Sequence, residues 1–204
     1  MRELFQQSFK WSFGIAVITF VLAALFSIIS TALLGGVGWA LGMLIVLFIV
    51  LIGIFFDMLG IAATAANEVP FHAMASKRIP GARQAIHIIR NADRFSNFCN
   101  DVIGDISGII SGTASAIVIL NLTLSLNFKQ GSIHEFAISV LLTSIVAALT
   151  VGGKAFGKTF AIRYSTDIIY QVGKLFNFLE NRFNIVVIKD NKGKNKKQRK
   201  QNRK

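Results

Sequence analysis

Two acids at the edge of an apolar run, Asp101 and Asp105, have the clearest chemical potential in this sequence. From Ile106 to Phe128 no charged residue follows them, so they stand at one end of a segment long enough to cross a bilayer. In a helix the two acids lie four residues apart and share a face. An acid at a membrane boundary is costly unless it is paired, hydrated or bound to an ion. This position is therefore a functional-site hypothesis.

Small residues recur at a four-residue spacing around both acids. Glycines let helix backbones approach closely, and serine hydroxyls place oxygen atoms near the carboxylates. We predict helix packing at Gly104, Gly108 and Gly112, and the accompanying serines are Ser107, Ser111 and Ser115.

The composition indicates a membrane protein. The chain is 53% hydrophobic with a mean hydropathy of +0.57, and residues 11–56 carry no charge over the length of two spans. The formal charge of +12 does not indicate a nucleic-acid-binding fold, because much of the basic excess lies in residues 189–204. The single cysteine, Cys99, cannot form an internal disulfide.

We predict an all-α integral membrane protein with four transmembrane helices and juxtamembrane amphipathic helices. Glycines near residue 35 break the first apolar run into a helical hairpin. The predicted segments are an N-terminus (1–10), four spans (11–34, 37–66, 101–126 and 136–152), a loop with an amphipathic helix (67–100), a juxtamembrane helical region (153–188) and a disordered polybasic tail (189–204).

Apolar residues at helical spacing predict an amphipathic helix over Gly81–Phe98. Its arginines suggest a surface helix under lipid headgroups, and an ordinary helix packed against the bundle is the alternative. A second amphipathic helix is expected from Ser165 to about Arg182, with an N-cap in Ser165–Asp167.

Basic residues are concentrated in the N-terminus, in the 67–100 loop and after Gly152. The positive-inside rule then places both termini on the cytoplasmic side of the plasma membrane. The tail is expected to attract anionic lipid, with a merely solvated tail as the alternative, and to bind no nucleic acid specifically. Its membrane-surface residues are Lys192, Lys194, Lys196, Lys197, Arg199 and Lys200.

Patterns typical of enzymes are not found in the sequence. There is no HExxH motif, no phosphate-binding loop and no Ser/His/Asp arrangement. His72, His87 and His134 are scattered over two loops and do not predict a zinc site. We therefore expect no catalytic residue and no cofactor.

Four short stretches are similar to a known family: Phe55–Asp57, the basic helix ending on Asp93–Arg94, Gly104–Asp105, and the run Gly153–Ala161. Together they resemble the transmembrane domain of the CNNM/CorC (CorB/CorC-type) family, which is linked to magnesium and cobalt transport. Lys154 and Gly157 stand where that pattern has Glu and Pro. An extra span precedes the domain, and the paired CBS domains that usually follow it are not in this chain.

The resemblance implies that the end of the second span meets the start of the third. Carboxylate, amide and hydroxyl oxygens there would suit Mg²⁺, which keeps part of its water shell. The expected ligands are Asp105, Asp57, Asn100, Ser107, Ser111 and Asp101. Structural alternatives are that Asp101 caps the third span and pairs with Arg94 or Lys154, and that Asp57 pairs with another basic residue.

Two functions follow as hypotheses. The first is divalent-cation transport, or a transport-related role, by a homodimer packed through small-residue helix faces, with Mg²⁺ as the transported ion. The second is a membrane scaffold or accessory protein that is built on the same fold and transports nothing.

Overall fold

The structure, a computed structural model, describes residues 2–126, 128 and 131–183, and this part of the chain contains helices and no strand. Four helical stretches are long and apolar enough to cross a membrane: Ser12–Leu34, Trp39–Ala65, Ala92–Ser125 and Ile133–Arg163. The predicted all-α membrane architecture is confirmed. The sequence beyond residue 183, including the predicted polybasic tail, lies outside the described residues.

Eight α-helices and one π-helical segment make up the described chain. In order they are α1 (Arg2–Leu34), α2 (Trp39–Ala65), α3 (Val69–Ser76), α4 (Ala82–Arg90), α5 (Ala92–Asn97), the π-helical segment (Phe98–Gly104), α6 (Asp105–Ser125), α7 (Ile133–Arg163) and α8 (Ser165–Phe183).

Helix α2 packs against α6, α7 and the π-helical segment, and its contact with α6 depends on glycine. An added Cβ at Gly42 would lie 2.7 Å from Val118, and one at Gly53 would lie 2.9 Å from Ser107. At Gly60 it would overlap the Asn100 amide. The three facing pairs follow one antiparallel register along the interface. Because glycine has no side chain, these positions let the helix backbones approach closely.

Helix α7 packs against another face of α2 in the same way. An added Cβ at Gly153 would overlap the Ile54 side chain, and one at Gly157 would lie 2.8 Å from Met58. The helix runs unbroken from Ile133 to Arg163, whereas the sequence places the end of the fourth span at residue 152. Gly153 and Gly157 serve a close helix contact and do not interrupt the helix. Helix α7 therefore continues beyond residue 152.

Helix α1 packs mainly on α6. Its Ile15, Leu22 and Ala23 contact a cluster around Val102 and Ile106. Helices α1 and α2 leave a cavity of about 400 Å³ between them, lined almost wholly by apolar side chains of α1, α2, α6 and the π-helical segment. An apolar lining of this kind is compatible with a position in the hydrocarbon core of a bilayer.

Helices α3, α4, α5 and α8 form a cap at one end of the bundle. Ala85 and Ile88 of α4 are buried in one cluster with Ile169 and Val172 of α8. At their crossing, Gly81 adopts φ +88°, and an added Cβ at Gly173 would overlap the Gly81 carbonyl oxygen. The sequence allowed either a surface helix under lipid headgroups or a helix packed against the bundle. The apolar face of α4 packs against the protein.

The single helix expected over Gly81–Phe98 is divided in the structure. Asn91 leaves the helical conformation at φ −117° and ψ 31°, and its Nδ2 donates to the His87 carbonyl oxygen at 2.9 Å. The chain then continues as α5 and the π-helical segment. An asparagine that binds its own backbone competes with the helix, which accounts for the break.

Candidate functional site

Three charged side chains from three different helices meet near the cap end of the bundle. Lys154 Nζ of α7 lies 3.9 Å from Asp57 Oδ1 of α2 and 3.8 Å from Asp105 Oδ1 of α6. The Asp57 side chain is 11% exposed, and that of Asp105 is 66% exposed. The cluster therefore extends from a buried carboxylate in the helix interface to an accessible one.

Small residues line the helix contacts next to Lys154 and the two acids. A methyl group added at Gly104 would lie 3.7 Å from Lys154 Nζ and 3.3 Å from the Cys99 carbonyl oxygen. Across the interface, Gly53 lets Ser107 and the Gly104 backbone approach α2. The glycine face predicted for packing thus includes Gly104, where the π-helical segment approaches Gly53 of α2 closely.

The ammonium group is shared between the two carboxylates without a direct hydrogen bond. Both distances exceed the 2.7–3.2 Å typical of an N–H···O bond. The interaction is therefore a charge–charge attraction in a partly buried setting, where it is screened less than at the open surface. One ammonium faces two carboxylates, so the group keeps a formal negative charge.

Asn100 has a buried polar oxygen at the contact between the π-helical segment and α2, opposite Gly60. Its Nδ2 donates to Ser96 Oγ at 3.2 Å, while Oδ1 is buried with no hydrogen-bond partner among the described residues. Gly60, which faces this amide, lies three residues after Asp57 on α2. Leaving a buried acceptor unsatisfied costs about 1–3 kcal/mol, so Oδ1 is an acceptor that the described side chains leave unused.

The π-helical segment positions Asn100 and Gly104. Its wider turn spans Phe98–Gly104 and ends where α6 begins at Asp105. Insertions of π geometry within helices occur frequently at functional sites. The sequence contains no obvious signal for this segment, because its residues also suit an ordinary helix.

The remaining expected ligands occupy different settings. Ser107 is buried against Gly53, and the Ser111 hydroxyl donates to the Gly108 carbonyl oxygen of its own helix at 2.9 Å. Asp101 is exposed in the π-helical segment. Lys154, one of the partners considered for Asp101, instead lies beside Asp57 and Asp105. The structure thus brings together Asp57, Asp105 and a lysine that was not among the expected site residues.

Gly108 and Gly112 do not share the packing role of Gly104 within this chain. An added Cβ at either position would meet no atom within 4 Å. Both residues lie on a side of α6 that faces away from the described bundle. A packing role for these two glycines would require a second molecule, and it stays a prediction.

The donor set available to a cation is modest. Within residues 2–126, 128 and 131–183, no group of three or more His, Cys, Asp or Glu side chains is arranged to hold a metal ion. An ion at this site would depend on the two carboxylates, the Asn100 oxygen and water. Such a mixed oxygen set is typical of magnesium, which retains several of its waters.

No protein-family model, no curated protein and no solved structure matches this chain. The similarity to the CNNM/CorC transmembrane domain stays a prediction that depends on the residues quoted above.

Proposed function

We propose that this protein binds a divalent cation of the magnesium type and takes part in its movement across the membrane. The observation that supports this most is the convergence of Asp57 and Asp105, from two different spans, on the same lysine ammonium group. Acids inside membrane helices are costly and rare, and they mark ion pathways and proton relays.

Each residue has a distinct part in the proposed site. Asp57 is the inner ligand, because its carboxylate is buried between the helices. Asp105 is the outer ligand that first meets an arriving ion, because most of its side chain is accessible. Asn100 Oδ1 supplies a neutral oxygen, and water completes the shell.

The setting of the site follows from the distribution of basic residues. We place the protein in the plasma membrane with both termini in the cytoplasm, so that the site opens to the cytoplasmic side. The polybasic tail would then contact anionic lipid at the same surface. Kinship with the CNNM/CorC transmembrane domain is part of this proposal.

Cation uptake into proteoliposomes that contain a divalent-sensitive dye tests the proposal. Asp57→Asn should lower the rate at least about tenfold, since even outer-shell partners of a metal site contribute that much. Asp167→Asn, an exposed acid at the start of α8, is the matched control and should transport like the unmodified protein. Properly folded wild-type protein that moves neither Mg²⁺ nor Mn²⁺ would contradict transport.

A membrane scaffold or accessory protein is the second candidate. It is favoured by Lys154, which partly neutralises the two acids without any ion, and by the open glycine face of α6. Crosslinking in native membranes distinguishes the candidates. A dedicated protein partner, together with purified protein that binds no metal, would support the scaffold.

A further inference from the structure

We propose that Lys154 is a built-in competitor for the cation. Its ammonium group occupies the position between Asp57 and Asp105, and it must leave before a divalent ion binds both carboxylates. This inference rests on the proposed function, because it describes how binding at that same site is controlled.

The positions of the charges exclude simultaneous occupancy. Mg²⁺ binds oxygen at about 2.0–2.1 Å, so an ion held by both carboxylates would lie within a few ångströms of Lys154 Nζ. Two cations at that distance in a partly buried site repel each other strongly. The lysine and the ion therefore exclude each other.

The geometry also makes the lysine easy to displace. Its Nζ lies beyond hydrogen-bond distance of both Asp57 and Asp105, so leaving breaks no direct hydrogen bond to either. The side chain is 26% exposed, and its flexible stem allows the ammonium group to move toward solvent.

Exchange of the lysine for an ion favours divalent cations. With Lys154 in place, the two carboxylates keep one negative charge, and a monovalent ion in its place would leave that balance unchanged. A divalent ion would neutralise both carboxylates. The competitor therefore acts as a charge filter, because only an ion with two charges improves on the lysine.

Metal titration of the purified full-length chain in lipid nanodiscs tests this inference, with Mg²⁺ and Mn²⁺ as the probes. Lys154→Met removes the competitor and should tighten binding about tenfold, a change that corresponds to 1.4 kcal/mol. Lys154→Arg keeps a cation in place and should not tighten binding. Lys158→Met is the matched control one turn further along α7, where the lysine is exposed, and it should bind like the wild type.

The outcomes separate this inference from the proposed function. If the wild type binds and Lys154→Met binds equally or more weakly, the competitor is ruled out and the site remains. If no folded variant binds either metal, the proposed cation site itself is ruled out.

A second measurement on the wild type covers the case in which Lys154→Met does not fold. Mass spectrometry after treatment with an amine-reactive reagent should show more labelling of Lys154 at saturating Mg²⁺, with Lys158 unchanged. Equal labelling of Lys154 with and without bound metal would overturn the displacement.

Discussion

At the residue scale, Glu68 shows how charge stabilises the cap. Its Oε1 accepts hydrogen bonds from Arg90 Nε at 2.6 Å and from His72 Nε2 at 2.9 Å. Desolvation raises the pKa of Glu68, but the hydrogen bonds and charges of Arg90 and His72 outweigh it, and the net pKa lies below the usual 4.5. The carboxylate therefore links the start of α3 to the end of α4.

This lowered pKa gives a pH-dependent prediction. A group whose pKa is depressed in the folded state contributes stability above its unfolded pKa, and it loses that contribution as the pH falls through the folded value. Glu68→Gln should therefore lower the melting temperature at pH 7, and the difference from wild type should shrink as the pH falls below about 4.5. Thermal unfolding in detergent at a series of pH values measures this difference in melting temperature.

Arg90 provides the control for this interaction. In an Arg90→Gln background, Glu68→Gln should have a smaller effect at pH 7, because the stronger partner is already missing. An undiminished effect in that background would show that the stability of the cap does not depend on this pair.

At the element scale, the contact between α2 and α6 positions the candidate site. Glycines at the crossing points allow the close approach, and the π-helical segment turns Asn100 toward Gly60. The same interface holds Asp57 opposite the start of α6. The site therefore depends on helix packing as much as on its charged residues.

Gly60→Ala should destabilise this interface. The added methyl group would overlap the Asn100 amide, and overpacking of this kind typically costs about 1–3 kcal/mol, against about 1 kcal/mol gained in helix propensity. Gly14→Ala is the control, because an added Cβ there meets no atom within 4 Å. The stability of the two variants is compared by measuring their unfolding in a denaturing detergent.

If Gly60→Ala resisted unfolding better than Gly14→Ala, the result would contradict the described packing. Alanine favours a helix over glycine by about 1 kcal/mol, so Gly14→Ala should be neutral or slightly stabilising. Metal titration of Gly60→Ala would also show whether a displaced Asn100 weakens the proposed site.

At the scale of the whole molecule, the chain is a four-helix membrane bundle with a helical cap at one end. The cap packs against the ends of α2 and α7 through one apolar cluster. Beyond the cap, the outward faces of α1, α2, α6 and α7 carry large exposed apolar side chains that suit lipid. The candidate site lies where the bundle meets the cap.

The open side of α6 leads to a prediction about assembly. If two copies pack through Gly108 and Gly112, Gly112→Leu should convert a dimer into a monomer, because a large side chain prevents close backbone approach. Light scattering of the protein in detergent measures the mass. Gly14→Leu places the same side chain in open space on α1 and should leave the assembly unchanged.

A mass that is identical for the wild type and Gly112→Leu would exclude this face from the assembly. A wild-type protein that is monomeric in lipid nanodiscs as well as in detergent would contradict the homodimer altogether.

Much of the fold is predictable from the sequence because the apolar length of a helix and its charged ends are local properties. Residues 11–56 contain no charge, so two spans and their glycine turn follow directly. The acids Asp57 and Asp105 stand out for the same reason, since each interrupts or borders an apolar run. The four-span membrane architecture needs no tertiary information.

The position of Lys154 depends on tertiary structure. Whether this lysine meets Asp57, Asp101 or Asp105 is set by the rotation and register of α2, α6 and α7, and these depend on contacts such as those of Gly53 and Gly153. In a helix each residue turns the side-chain direction by about 100°, so a shift of one position would separate the charges.

The sequence by itself thus determined the membrane class, the number of spans and the acids that border them, since hydrophobic length and charge are local. Only the tertiary structure decided that α4 packs on α8, that Gly108 and Gly112 face outward, and that a lysine lies between the two acids. These features depend on how side chains from distant parts of the chain fit together, which no local pattern encodes.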